Sequence, residues 1–166
     1  LLVTPEEKEL GSVLIDLGGQ SLSIGVYCEG AIKYSKEIPI GSDFITRDLA
    51  VGLKTSIATA DRIKIQHGLA HPSLLNGDAD VDCHGIDGRT PLRIKTSTMM
   101  GIILPRVEEI FSIVAEDLEN SSYADVVAPG GAILTGGGSL MRGTTVAAHQ
   151  ILGVPVRLGV PHPDMV

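Results

Sequence analysis

Tryptophan is missing from this chain of 166 residues, and aromatic side chains as a whole are scarce, with three Tyr and two Phe. Basic runs are missing too: 13 Lys and Arg stand against 20 Asp and Glu, for a formal net charge of −7. Nucleic-acid binding needs a positive surface to meet phosphates and often aromatic faces to stack bases; this composition offers neither, which excludes that class. Cysteine occurs only twice, at Cys28 and Cys83, too few for a disulfide framework, so a reducing cytosol is the expected setting. No apolar stretch approaches the ~20 residues of a bilayer-spanning helix, and no basic segment followed by an apolar run opens the chain. An initiating Met is absent as well. The chain starts LLVTPEEKELG and stops at PHPDMV straight after an apparent strand, so it is expected to be a piece of a longer protein. What remains, 43% hydrophobic and 20% charged, is ordinary for a globular domain with one sizeable core or two small ones.

Within that frame, strands and helices alternate. VLIDL (13 to 17), SIGVYCEG (23 to 30) and AIKYSKEIPI (31 to 40) predict a three-strand meander, the last two joined through Glu29 and Gly30. Gly41 and Ser42 open a predicted helix with Phe44, Ile45, Leu49 and Leu53 on one face and Ser42 as N-cap. Thr59 is the expected cap of a second helix, ADRIKIQH, ended by Gly68. From Ala70 to Leu92 the chain turns rich in Gly, Asp and Pro, an excursion with a short strand at VDCH. The longest helix is predicted from Thr96 or Ser97 to about Asn120. Its apolar stripe is Met100, Ile103, Leu104, Val107, Ile110, Phe111, Val114 and Leu118, and Pro105 calls for a kink or a later start. GAILT (131 to 135), a helix over about Thr144 to Leu152 and PVRLG (155 to 159) complete an α/β domain with a mixed sheet, a class in which ligand loops lie beyond the carboxyl ends of strands.

Two loops share one design. Asp16-Leu17-Gly18-Gly19-Gln20-Ser21 and Leu134-Thr135-Gly136-Gly137-Gly138-Ser139 each follow an apolar strand, the first leading into another strand and the second into a helix. Adjacent glycines let backbone N–H groups converge on an anion, and the lack of Cβ atoms lets a phosphate or a flat ring approach the main chain. Asp16 would repel phosphate directly, so its expected task is to hold a hydrated Mg²⁺ that bridges to phosphate oxygens, while Ser21 donates from its hydroxyl. One such turn is explained by hairpin geometry; two at matching strand ends point to a shared ligand. Neither loop has the G-x-x-x-x-G-K-S/T or G-x-G-x-x-G spacing. His67, His71, Cys83 and His84 make a weak metal candidate, because Gly68 and Pro72 break the helix and no C-x-x-C is present. Met99, Met100 and Ile102 to Leu104 read as core rather than as a partner groove, and Glu6, Glu7, Lys8 and Glu9 as a solvated lead-in. No Ser/His/Asp or Cys/His arrangement marks a catalytic centre.

In this order, VLIDLGGQSLSIGVYCEGAIKYSKEIPIGSDFITRDLAVGL, ADRIKIQHG, LPRVEEIF and AILTGGGSLMRG resemble the second half of an actin-like ATPase, and within that superfamily the FtsA family of bacterial cell-division proteins, across essentially the whole chain. The resemblance implies the ribonuclease H-like actin fold, with subdomain IIA at residues 1 to 55 and 94 to 166 and an inserted subdomain IIB at 56 to 93. It implies a nucleotide site for ATP and Mg²⁺ in which Asp16, Gly18, Gly19, Gln20 and Ser21 form the second phosphate loop. Gly136, Gly137, Gly138 and Ser139 would form the adenosine loop, with Lys64 near the ribose and Asp61 at a commonly acidic position. Gln20 replaces a usual third glycine and Ser23 a usual acid, departures that nucleotide binding tolerates better than hydrolysis. The implied role is a scaffold that links filaments of the tubulin-like protein FtsZ, through IIB, to the cytoplasmic face of the inner membrane at the division site. Self-association into actin-like filaments, a membrane-binding tail outside this chain and at most weak ATPase activity are also implied, with the isolated piece inactive. A sugar or acetate kinase of the same superfamily and a chaperone or pilus-assembly ATPase are the alternatives.

Overall fold

Burial along the first strand alternates although its text reads as a continuous apolar run. Val13, Ile15 and Leu17 are buried, Leu14 is half-buried and Asp16 is exposed, so β1 (Ser12–Leu17) has one core face and one open face. The computed structural model describes residues 2–159; the terminal PHPDMV lies outside the described residues. β1 pairs antiparallel with β2 (Leu22–Cys28), and β2 with β3 (Ala31–Ile38) across a turn in which Glu29 and Gly30 both take positive φ, the geometry favoured in two-residue hairpins. Ahead of β1 lies a short helix that composition alone does not predict, α1 (Pro5–Leu10), capped by Thr4 Oγ1 accepting from the Glu7 N–H. Its last carbonyls, on Lys8 and Glu9, accept the N–H groups of Gly30 and Glu29. Glu7 is therefore no loose lead-in residue; Arg157 grips its carboxylate at 2.7 and 2.9 Å.

After the meander come α2 (Asp43–Leu53) and α3 (Ile57–His67), then the hairpin of β4 (Asp80–His84) and β5 (Pro91–Lys95). The sequence reading holds only the first of these two strands, because PLRIK is short and opens with proline. α4 (Thr96–Asn120) spans the domain, and a four-residue turn, α5 (Ala124–Val127), leads to β6 (Ala132–Thr135), α6 (Thr144–Leu152) and β7 (Val156–Leu158). The main sheet has the order β3-β2-β1-β6-β7, antiparallel in its first half and parallel from β1 onward. It is the mixed α/β sheet that the alternation predicts.

Four local expectations are corrected. Met99, not Met100, heads the buried stripe of α4, which continues through Ile103, Val107, Ile110, Phe111, Val114 and Leu118, while Leu104 is only half-buried. Spacings of four and three from Met99 keep one face toward the sheet; Met100 falls a full step off it. Ser56, not Thr59, caps α3, its Oγ accepting the Thr59 N–H at 3.1 Å. Ser42 stands at the cap position of α2 but makes no side-chain cap bond, because its backbone is already helical (φ −66°, ψ −17°) and the Phe44 and Ile45 N–H groups that it would accept go to the Gly41 and Ser42 carbonyls. Pro105 lies inside α4, which starts at Thr96 rather than later. Gly101, whose carbonyl loses its helical partner there, faces solvent together with Pro105, so water can replace the bond. Asp117, facing the core from α4, is compensated by Lys36 Nζ at 2.6 Å and the Tyr34 hydroxyl at 3.0 Å.

In the turn between β4 and β5, Asp87 accepts the N–H groups of Arg89 and Thr90 at 2.9 and 2.8 Å and the Thr90 hydroxyl. The Thr90 hydroxyl bond first, and then the two N–H bonds, favour the carboxylate and pull its pKa from 3.8 down to about 2. A depressed folded pKa gives a local stabilisation that is present above the ordinary carboxylate pKa and lost as pH falls through the folded value. The Thr90 amide resonance should therefore titrate with a midpoint near 2 and stay flat over the same range in Asp87→Asn, as followed by NMR.

Candidate functional site

Parallel pairing of Val13 with Ala132 through Asp16 with Thr135 brings both glycine loops to the same edge of the sheet. The first is a four-residue turn, Gly18 to Ser21, closed by the Gly18 N–H donating to the Ser21 carbonyl at 3.0 Å. The Gly18 and Gly19 carbonyls accept the Ser42 and Asp43 N–H groups, each at 2.9 Å, so the open start of α2 is tied to the back of this loop. Gly41 allows that approach, since a Cβ there would strike both carbonyl oxygens. Among the described residues, the N–H groups of Gly19, Gln20 and Ser21 have no internal acceptor. With their carbonyl side anchored, these donors are available to an anion.

In the second loop the triple glycine opens a 3-10 turn, Gly137–Leu140, and the α-helix starts only at Thr144. Gly136 sits at φ 86°, and a Cβ there would collide with Asp16 Oδ1 and the Leu17 carbonyl, so the two loops touch through a place where no side chain fits. The Gly136, Gly137 and Gly138 N–H groups likewise lack internal acceptors among the described residues. Ser139 is turned inward: its hydroxyl donates to the Thr135 carbonyl at 2.6 Å and its N–H to the Gly136 carbonyl, fixing the loop rather than facing the opening.

A cavity of about 350 Å³ lies beside these loops. One wall is Gly137, Gly138, Leu140 and Met141; the other is Asp61, Lys64 and Ile65 of α3, and Ser42 and Asp43 close the floor. Ile65 and Leu140 are 74% and 75% exposed, an apolar pair left open at the mouth. Exposed aliphatic groups beside free backbone donors suit a ligand with one flat apolar part and one anionic part. Asp16, without a hydrogen-bond or ion-pair partner among the described residues, lies between the loops and outside the cavity lining. Asp43 approaches Gly19 closely enough that a Cβ there would stand 3.0 Å from its Oδ1. Lys64 is buried and bonded to Thr46 and Asp61.

The structure thus brings the Gly18–Ser21 and Gly136–Gly138 loops to one end of the sheet with Asp16 between them, and places Asp61, Lys64, Gly137 and Gly138 on the adjoining cavity, while the Ser139 side chain turns to the Thr135 carbonyl. Sequence reasoning missed Asp43, Ile65, Leu140 and Met141. An acid in the first turn of a helix that follows glycine was a visible signal for Asp43, as was an isoleucine one turn after Asp61 for Ile65. His67, His71, Cys83 and His84 are not brought together as ligands: Cys83 is buried on one face of β4 with its thiol pKa raised by burial, His84 is exposed on the other, and His71 Nδ1 contacts Ser73 Oγ. Among the described residues no group of three or more His, Cys, Asp or Glu side chains is arranged around a metal position.

The family model described as "Cell division protein FtsA" matches residues 13–166. Cell division protein FtsA of Pseudomonas aeruginosa is 37% identical over 161 residues, 97% of this chain and 38% of that protein. The Escherichia coli K12 protein of the same description is 31% identical over 167 residues, 96% of this chain and 40% of that protein. The chain therefore spans about two fifths of the length of these curated relatives. Among solved structures, MreB5 of Spiroplasma citri bound to AMPPNP superposes with a TM-score of 0.76 at 20% identity, over 92% of this chain and 49% of that one. The PilM-PilN type IV pilus biogenesis complex gives 0.68 at 18%, over 93% and 37%. At such identities these likenesses establish the fold alone, that of an actin-like ATPase domain.

The close contact at Gly136 sets a test that needs no ligand. Gly136→Ala should lower stability by about 1–3 kcal/mol through positive-φ strain and collision with Asp16 and Leu17. Gly137→Ala, which meets nothing within 4 Å, should change it by less than about 0.5 kcal/mol. Urea unfolding of the two variants measures the contrast.

Proposed function

The chain belongs to the FtsA family of cell-division proteins, and from that premise we propose that it forms one wall of an ATP site in an actin-like scaffold of the bacterial division ring. The observation that carries the reading is the delivery of two glycine loops, distant in sequence, to one end of the sheet, beside a cavity lined by the second loop, the start of α2 and α3. Backbone N–H groups of Gly19, Gln20 and Ser21 meet the phosphates, with those of Gly136 to Gly138 supporting the nucleotide from the other side. The nucleoside lies between Ile65 and Leu140, with Asp61 at the ribose. The AMPPNP named with the MreB5 structure supports this reading by analogy of fold.

Asp16, Asp43 and Asp61 leave the edge strongly acidic, with Lys64 buried among its own partners. A polyphosphate entering such an edge needs a cation of its own, and the unpartnered Asp16 carboxylate fits a role in holding Mg²⁺ through water. When bound, the ion neutralises phosphate charge; the chain's own residues bind and orient. Gln20 places a side chain on the phosphate face, which favours holding ATP over turning it over. Phosphoryl transfer requires the γ-phosphate to be gripped from several sides in a water-excluded site, and this chain supplies one side.

At the level of the whole protein, we infer that residues 56 to 93 form subdomain IIB and dock the C-terminal tail of FtsZ, while the rest forms IIA. Self-association into actin-like filaments and attachment to the cytoplasmic membrane through a segment outside this chain complete the proposed linkage; a neighbour of the same fold, the MamK double helical filament, supports the self-association by analogy.

Two experiments test the proposal. Calorimetry on the intact protein should show Mg-ATP binding that EDTA abolishes and that Asp16→Ala weakens by about tenfold or more. Residues 1–166 alone should bind at least ~10-fold more weakly, for want of the second wall, and release no phosphate. Submicromolar binding or steady turnover by the isolated chain would overturn the half-site reading. For the partner, a labelled peptide of the FtsZ C-terminal tail should bind this chain without nucleotide, because rigid-body docking on a preformed surface does not require an occupied cleft. Absence of binding at millimolar chain would remove the assignment of residues 56 to 93.

A further inference from the structure

The first residue of α2 stands directly against the first glycine loop. Asp43 donates its N–H to the Gly19 carbonyl at 2.9 Å, and a Cβ on Gly19 would come within 3.0 and 3.2 Å of the two Asp43 carboxylate oxygens. Gly19 does not have positive φ, so its missing side chain serves space rather than backbone conformation: it admits this carboxylate. The group admitted is unpaired. Among the described residues no hydrogen-bond donor or cation engages it; Lys64 is paired with Asp61 at 3.3 Å, and Arg47, one turn along α2, lies over the Phe44 ring at 5.6 Å from its centroid.

Its place sets it apart from the other two acids at this end of the sheet. Asp16 lies between the glycine loops and outside the cavity lining, and Asp61 is engaged by Lys64, whereas Asp43 lines the cavity with both oxygens open. An ionised carboxylate only accepts hydrogen bonds, so its ligand partner must carry a proton to give. Phosphate oxygens carry none and repel it, and the base, seated between Ile65 and Leu140, lies at the mouth while Asp43 lies at the floor. The part of a nucleotide that lies between those two ends and offers protons is the sugar, through its hydroxyls. We propose that Asp43 accepts a hydrogen bond from a ribose hydroxyl and is a specificity-determining residue, by which this wall selects ribonucleotides over nucleotides that lack the sugar hydroxyls. Hydroxyl-to-carboxylate bonds are among the stronger hydrogen bonds, and a site built to take one rejects the analogue without it, because the carboxylate is then covered and left without a donor. This rests on the nucleotide reading above and adds to it a second sugar acceptor, from α2, beside Asp61 of α3.

The test is calorimetry on the intact protein with three ligands: Mg-ATP, Mg-2′,3′-dideoxy-ATP, which keeps the base and phosphates but lacks both sugar hydroxyls, and adenosine, which keeps the hydroxyls but lacks the phosphates. The wild-type protein should prefer Mg-ATP over the dideoxy analogue by about tenfold or more, the scale of a hydrogen bond to a charged group. Asp43→Ala should weaken Mg-ATP and adenosine by about the same factor, tenfold or more, and should not weaken the dideoxy analogue, so the preference shrinks through the ATP side alone. An acid in the first turn also steadies a helix start, so helix content of the variant is checked by circular dichroism. Should Asp43→Ala lose it, Asp43→Ser, which keeps a residue suited to a helix start but is too short to reach the sugar, decides on the same expectation. Equal losses for Mg-ATP and the dideoxy analogue overturn the inference in favour of a role at the phosphates or their cation, as does an adenosine affinity that Asp43→Ala leaves unchanged. Equal wild-type affinities for Mg-ATP and the dideoxy analogue overturn it while the nucleotide reading stands. A wild-type protein that binds none of the three removes the nucleotide reading, and the inference falls with it.

Discussion

The parallel pairing of β1 with β6 is the constraint on which the rest of the structure depends. Each strand is short, and each is followed at once by glycine. Held in register at Asp16 and Thr135, they deliver two loops to one edge and bring Gly136 against Asp16 and Leu17 with no room for a side chain between them. A register slip by one residue would turn Val13, Ile15 and Leu17 away from the α4 face and part the loops at the same time. Core packing and site assembly are in this sense one specification: the apolar alternation that satisfies Phe111 and its neighbours also aims the glycines.

Behind the edge, α2 and α3 act as a second layer. The start of a helix leaves N–H groups unsatisfied, and such groups often bind a ligand directly. Here the Ser42 and Asp43 donors go to the carbonyls of the glycine loop instead, so helix geometry stiffens the loop and the loop's own outward donors become the ones presented. Asp16, Asp43 and Asp61 give this end of the sheet an acidic surround.

Much of this was legible in the sequence, for reasons that differ by element. The hairpin at Glu29 and Gly30 and the helix from Thr144 to Leu152 follow from local turn chemistry and periodicity, and both glycine loops announce themselves by composition. What could not be read locally depends on the third dimension. Met99 rather than Met100 faces the core because the orientation of α4 is set by the sheet it covers. Ser56 rather than Thr59 caps α3 because two residues with suitable hydroxyls lie within one turn, and packing chooses between them. α1 was invisible because six residues with four charges hold no apolar stripe; its carbonyls instead meet the β2–β3 turn. Asp43 gains its place only when the α2 start is tied to Gly19.

The grip of Arg157 on Glu7 has a mechanical consequence for the sheet. The same guanidinium also donates to the Leu2 carbonyl at 2.7 Å, so β7, at the end of the parallel half, is tied to the segment that precedes β1 as well as to β6. A three-residue strand held only by backbone pairs on one side would fray readily; the clasp anchors its far side, so peeling β7 from β6 also requires α1 to let go.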